Sequence, residues 1–248
     1  MSEKRAVVLL SGGLDSATCL YTARAAGFAP IAVSFDYGQR HRNEIQAAAN
    51  IVKAAGAEHR VLTVDLRKIG GSALTDDINV PKGGAHLGQG NAIPVTYVPV
   101  RNLIFLSLAY AVAEAERCEA IYIGVNAVDY SGYPDCRPDF IESFAKTAAL
   151  ASKIGREGHA PEIRTPLIEM SKAQIALEAK RLGVPFELTW TCYDPQIADS
   201  TYTPCEQCDA CLLRRNGFAE AGLALSKEEI FGSPIKLAQS GSPENPSR

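Results

Sequence analysis

The stretch Ala6–Ser16, AVVLLSGGLDS, decides how the rest of the chain is read. Its first half, Ala6 to Leu10, is a short continuous apolar run rich in β-branched residues, as a strand buried on both faces of a parallel sheet requires. Its second half is a glycine turn that opens a helix. Cys19, Leu20, Ala23 and Ala26 follow at helical spacing, and Gly27 stands where such a helix stops. Glycines permit left-handed backbone and close approach, while the unpaired N–H groups and dipole of a helix start favour an anion. Ser11 and Ser16 add hydroxyl donors. Asp15 would repel a bare phosphate, so its place suits ordering the turn or touching a phosphate-bound Mg²⁺. The turn reads as a cradle for pyrophosphate. No GxxxxGK[ST] occurs and no GxGxxG follows the first strand, which weighs against kinase, GTPase and dehydrogenase chemistry.

Outward from this turn, strand-like runs at 31–35, 60–64, 120–125 and 162–167 alternate with helical patterns at 43–55 and 102–118. A further helix is opened by a Ser171/Gln174 capping box and closed by Gly183 and Pro185. This alternation implies right-handed crossovers and a Rossmann-like α/β fold: five parallel strands with helices on both faces. Between Arg67 and Tyr97, glycines and prolines break the pattern, as either a loop over an active site or a tolerated insertion. We expect an α/β domain over 1–188, a metal-binding segment packed on it over 189–232, and a frayed Ser- and Pro-rich tail over 233–248.

With 46% apolar and 21% charged residues the chain can bury a large core, which rules out global disorder. No apolar run reaches the roughly 20 residues of a membrane span, and Lys4-Arg5 pass directly into the first strand, so a cytoplasmic protein without a membrane partner is expected. The net charge is -3 and the basic groupings are brief, Arg40-His41-Arg42 and Arg214-Arg215. Nucleic acid is therefore not an expected partner.

Four of seven cysteines, Cys192, Cys205, Cys208 and Cys211, crowd into one short segment. Four thiolates so spaced can cage a metal, and a reducing compartment disfavours disulfides. Structural zinc is the expected occupant; an iron–sulfur cluster is the competitor, because Cys-x-x-Cys-x-x-Cys also occurs in ferredoxin-like runs. Cys19 and Cys118 read as core residues. Cys136, in an exposed-looking loop, is either a structural thiol or a nucleophile.

The pattern SGG-x-DS at the end of the first strand resembles the PP-loop of the ATP pyrophosphatase superfamily, which cleaves ATP between the α and β phosphates. SFDYGQRH (34–41), VPVRN (98–102), GVNAVDYSGYPDCRPDF (124–140), TPLIEMSK (165–172) and TWTCY leading into the cysteines together resemble the QueC family of 7-cyano-7-deazaguanine synthases. The resemblance implies ATP-dependent conversion of 7-carboxy-7-deazaguanine and ammonia to the nitrile through an adenylated acid and an adenylated amide. It also implies Mg²⁺ with ATP and, by analogy among soluble PP-loop enzymes, a homodimer.

Residue roles follow as expectations. The ATP-binding stretch covers Leu10, Ser11, Gly12, Gly13, Leu14, Asp15, Ser16, Ala17, Thr18, Cys19 and Leu20. Asp15 and Ser16 are catalytic candidates within it, and Arg101 and Lys172 are candidates for neutralising charge on the departing pyrophosphate. A deazaguanine ring presents an N–H beside an exocyclic amine, which one carboxylate can accept; Asp129, Asp135 and Asp139 are candidates. Tyr130, Tyr133 or Phe140 would stack on the ring, and Arg137 would engage the substrate carboxylate. Asp36, Gln39 and Arg40 lie just past the second strand, where such sheets place ligands. The competing readings are another amidating ligase of the superfamily or a tRNA-modifying thiolase.

Overall fold

The computed structural model describes residues 3–39, 43–75, 79–80, 82–83, 93–126 and 132–236. Five strands, β1 (Arg5–Leu9), β2 (Ala29–Asp36), β3 (Glu58–Thr63), β4 (Ala120–Tyr122) and β5 (Glu162–Arg164), form one parallel sheet in the order β3-β2-β1-β4-β5. The helices between and after them are α1 (Leu14–Ala25), α2 (Asn43–Ala55), α3 (Arg101–Ala115), α4 (Pro138–Ala151), the short α5 (Lys153–Arg156) and α6 (Lys172–Leu182). The expected parallel five-stranded fold is present. The strands β4 and β5 are shorter than their apolar runs, because the chain leaves the ladder after Tyr122 and Arg164 to enter the loops at the sheet's carboxyl edge.

The period of two along β1 divides the core. Ala6, Val8 and Leu10 join Leu20, Ile51, Tyr122 and Ile175 in a cluster under α1, α2 and α6. Val7 and Leu9 face the other way, onto Ile31, Val33, Leu106, Ile121 and Phe144 under α3 and α4. Both faces of the sheet are covered, so its strands can be apolar at every position. The capping box at α6 forms: Ser171 Oγ accepts from Gln174 N at 3.3 Å, Gln174 Oε1 accepts from Ser171 N at 2.8 Å, and Gly183 caps the far end in left-handed backbone.

Beyond α6 the chain builds a second element that composition does not announce. Strands β6 (Gln196–Ala198), β7 (Thr201–Thr203) and β8 (Ile235–Lys236) pair antiparallel, and α7 (Asp209–Glu220) and α8 (Lys227–Phe231) pack beside them. The expected tail from residue 233 is thus corrected at its start. Ser233 N donates to Glu187 O at 2.8 Å, and Ile235 and Lys236 pair with Tyr202 and Thr201. Residues 237–248 lie outside the described part. Among the described residues no helix is long and apolar enough to cross a membrane.

Candidate active site and thiol cage

In the order 3-2-1-4-5 the connections diverge between β1 and β4, and the crevice at the carboxyl ends of those strands is where such sheets bind ligands. The glycine turn occupies it. Gly12 has φ +88°, and a Cβ there would overlap the carbonyl oxygen of Glu44 in the first turn of α2. Gly124, after β4, would carry a Cβ 3.1 Å from Ser16 N, so a side chain at that position would crowd the start of α1. The turn is cross-braced by its serines: the hydroxyls of Ser11 and Ser16 share a bond of 3.1 Å, Ser16 Oγ donates to Gly13 O at 3.0 Å, and Gly13 N donates to Ser11 Oγ at 3.3 Å. No side chain caps α1 at Gly13, which leaves its first amides directed at the crevice.

Asp15, in that first turn, takes two donors on Oδ2: Lys172 Nζ at 2.6 Å from the start of α6, and Asn126 Nδ2 at 3.0 Å from beyond β4. Asn126 is fully buried. The cavity beside the turn has a volume of about 780 Å³. Ser11, Gly13, Asp15 and Ser16 form one wall of it, Arg101 and Lys172 contribute cations, and Ile93 to Val98 of the long connection form another side. Ala73 N donates to Val95 O at 2.8 Å, which ties the first and last described parts of that connection together. Arg101 begins α3 directly after Val100, a β-branched residue held at φ 48° whose amide donates to Tyr97 OH at 3.0 Å. Burial works to lower the pKa of Arg101, but Tyr37, Tyr193 and Glu44 outweigh it and keep the guanidinium above its ordinary value. Burial pushes Tyr37 up to about 12, with Arg101 opposing.

The Sγ atoms of Cys192, Cys205, Cys208 and Cys211 lie within 4.8 Å of one another, all buried. Cys205 N donates to Cys192 Sγ at 3.2 Å and Cys208 N to Cys205 Sγ at 3.3 Å, the amide-to-sulfur bonds that a thiolate knuckle uses. Hydrogen bonds from the Cys192 and Cys211 thiols hold Cys208 far toward the thiolate. The cage abuts the glycine turn through one residue. Trp190 N donates to Gly12 O at 2.8 Å, and its indole Nε1 donates to Cys192 O at 3.0 Å. Arg214 of α7, itself buried, completes the join. Its Nη1 donates to Thr189 O and Thr191 Oγ1, and its Nη2 to Phe186 O and Glu229 O. Burial lowers its pKa to about 10, with Asp15 and Cys211 opposing.

Residues 5–222 match the family model described as queuosine biosynthesis protein QueC. The chain belongs to the QueC family. A 7-cyano-7-deazaguanine synthase of Erythrobacter litoralis is 57% identical over 90% of this chain and 91% of its own length. The enzyme of that name from Pelobacter propionicus is 57% identical over 89% and 96%, and one from Myxococcus xanthus 53% over 89% and 95%.

Set on this QueC fold, the residues singled out from sequence separate into groups. Leu10, Ser11, Gly13, Leu14, Asp15, Ser16, Gln39, Arg101, Tyr133, Asp135 and Lys172 all border the cavity. Gly12 lies just behind that wall. Ala17, Thr18, Cys19 and Leu20 are fully buried under the sheet and do not reach the cavity; Thr18 Oγ1 turns back to Leu14 O at 2.8 Å. Asp36 ends β2 away from the cavity wall, its Oδ1 accepting from Gly38 N. Arg137 and Asp139 are exposed at the start of α4 and also stand off the wall, with Asp139 accepting from Phe140 N at 2.8 Å. Asp135 borders the cavity but its Oδ2 accepts the Asn102 amide at 2.8 Å, fixing the start of α3. Arg40, Asp129 and Tyr130 lie outside the described residues. Cys136, expected in an exposed loop, is buried at the cavity wall, with Asn102 Nδ2 3.0 Å from its sulfur. Sequence reasoning passed over Asn126, Arg214 and Glu44; of these Glu44 carried a signal, as the first acid after the second strand and at a helix start facing the crevice.

Proposed function

We propose that this protein is a 7-cyano-7-deazaguanine synthase, converting 7-carboxy-7-deazaguanine and ammonia to the nitrile at the expense of ATP. The observation that carries the proposal is one cavity that joins an uncapped helix start, cross-braced serines and two cations to a chamber large enough for a second, flat substrate. The names of the curated relatives above support the product, 7-cyano-7-deazaguanine.

A carboxylate is a poor acyl donor because its leaving group would be oxide. Its oxygen attacks the α-phosphorus of ATP, pyrophosphate leaves, and the acyl-adenylate forms. The α1 amides and the Ser11 and Ser16 hydroxyls take the pyrophosphate oxygens, while Lys172 and Arg101 offset the charge that develops on them. Ammonia then attacks the acyl carbon, AMP leaves with the oxygen, and one proton is released as the amide forms. The amide oxygen attacks a second ATP in the same way. Loss of AMP and of the remaining nitrogen protons then leaves the carbon–nitrogen triple bond. Mg²⁺ bound with ATP would neutralise phosphate charge near Asp15.

The cage fits a single tetrahedral ion. Thiolates about 2.3 Å from zinc stand about 3.8 Å apart, compatible with sulfurs inside a 4.8 Å limit. A four-iron cluster would need them spread wider. Zinc bound by Cys192, Cys205, Cys208 and Cys211 would fix the segment that supports Gly12. The reading extends to a cytoplasmic homodimer acting on small molecules.

The test is turnover of 7-carboxy-7-deazaguanine with ATP, Mg²⁺ and ammonium, followed by mass spectrometry and nucleotide separation. Nitrile with AMP, lost in Ser16→Ala, is the expected result. ADP in place of AMP would sink the adenylation chemistry, and ATP binding without turnover would mean a different carboxylate substrate.

A further inference from the structure

Among the described residues, four carboxylates border the cavity: Asp15, Glu44, Asp135 and Asp209. Three are committed. Asp15 holds Lys172 and Asn126, Asp135 holds the Asn102 amide, and Asp209, next to Cys208 at the start of α7, has a partner of its own. Glu44 differs. It is the second residue of α2, set beside the carboxyl end of β2, and among the described residues no hydrogen bond or ion pair holds its carboxylate. The titratable groups that face this corner are Tyr37 after β2, Arg101 at the start of α3 and Tyr193 after Cys192. Burial pushes the Glu44 carboxyl up to about 7, with Arg101 opposing. A half-buried acid that lines the cavity and has no donor of its own is placed to receive donors from a ligand. Asn43 beside it is buried with both side-chain amide atoms unpartnered, so the fold leaves a second polar side chain of this first turn of α2 without a protein partner.

The two rings that the reaction brings to the cavity differ in what they ask of such a group. A deazaguanine shows a ring N–H beside an exocyclic amine, two donors in a row, which is the complement of a carboxylate. Adenine shows an amine beside a ring-nitrogen acceptor, which is the complement of an amide or of a protonated acid. We propose that Glu44 is the residue that reads the deazaguanine edge, accepting the ring N–H and the 2-amino group on its two oxygens. The proposal rests on the function argued above. Tyr37 and Phe105, whose ring centroids are 5.5 Å apart with the planes tilted by 56°, give this part of the cavity an aromatic lining against which one face of the ring can rest.

The experiment uses the full chain and measures dissociation constants for 7-carboxy-7-deazaguanine, for its analogue lacking the 2-amino group, and for ATP. Wild type is compared with Glu44→Gln and Glu44→Asp. The glutamine variant keeps the shape but turns one acceptor into a donor facing the amine. We expect it to weaken the acid by roughly 10- to 100-fold while ATP changes by no more than about twofold. Removal of the 2-amino group should cost wild type and Glu44→Asp affinity and cost Glu44→Gln none. Equal discrimination between acid and analogue in wild type and Glu44→Gln would overturn the assignment. So would weakened ATP with an unchanged acid, which would place adenine at Glu44, or unchanged binding with a raised KM for ammonium, which would make it a proton acceptor for ammonia. A wild type that binds no deazaguanine acid would fail the proposed function itself, and Glu44's role with it.

Discussion

The ammonium of Lys172 lies 2.6 Å from Oδ2 of Asp15, a pair drawn from the first turns of two helices 157 residues apart in sequence. The contact answers a problem that the proposed phosphate site sets. A carboxylate in the first turn of α1 suits the helix dipole yet would repel pyrophosphate, and the lysine cancels that charge beside the proposed anion position. Gly217 of α7 permits the arrangement: a Cβ there would stand 2.8 Å from Lys172 Cβ.

Lys172→Ala should therefore cost more than one lost cation. We expect kcat/KM for ATP to fall roughly 10²- to 10³-fold. The double variant Asp15→Ala/Lys172→Ala should bind ATP better than Lys172→Ala, because no uncompensated carboxylate remains. Equal ATP affinities for the single and double variants would show that Asp15 does not face the phosphates.

Gly12→Ala and Gly27→Ala separate backbone strain from collision. Both glycines have positive φ, +88° and +81°, but a Cβ at Gly27 meets nothing within 4 Å, whereas at Gly12 it meets the Glu44 carbonyl and Ala47. Gly27→Ala should cost about 1 kcal/mol of stability with ATP affinity intact. Gly12→Ala should cost more and should abolish tight ATP binding, as thermal melts with and without nucleotide would show.

Elemental analysis should find one zinc per chain in a colourless protein. Cys208→Ser should lose most of it and melt at lower temperature, since it removes one of the four sulfurs of the cage. Iron and inorganic sulfide in the purified wild type would replace zinc with a cluster.

The pH dependence of Glu44 has a definite sign. Its folded pKa of about 7 lies above the ordinary 4.5, because burial opposes ionisation. Its contribution to stability is complete below about 4.5 and is lost as pH rises through 7. Glu44→Gln should remove that component, so wild type should lose stability relative to the variant between pH 4.5 and 7. In the same window, affinity for the deazaguanine acid should rise in wild type and stay level in the variant. Identical profiles would mean that Glu44 ionises as freely as a surface acid.

Local chemistry explains what the sequence made legible. β1 is apolar from Ala6 onward because both sheet faces are covered there; Ser171 and Gln174 declare a helix start by themselves; SGGLDS and the clustered cysteines carry their proposed roles in their spacing. Other features depend on distant parts of the chain. Gln196–Ala198 and Thr201–Thr203 become strands by pairing with each other and with residues 235–236, so neither composition nor alternation reveals them. Asn126 and Arg214 look ordinary until the fold brings Asp15 to one and four carbonyl and hydroxyl acceptors to the other. Arg137 and Asp139 share a polar, proline-rich stretch with Asp135, but α4 starts at Pro138 and leaves them on the outside while Asp135 turns in.

Trp190 is the sole tryptophan of the chain. Its indole is bonded to the carbonyl of Cys192, and its own amide is bonded to Gly12. The protein thus carries an intrinsic fluorophore at the seam between its thiol cage and its glycine turn, the proposed sites of metal and nucleotide. Loading of either should therefore register in one emission band, in the unlabelled protein and on the time scale of mixing.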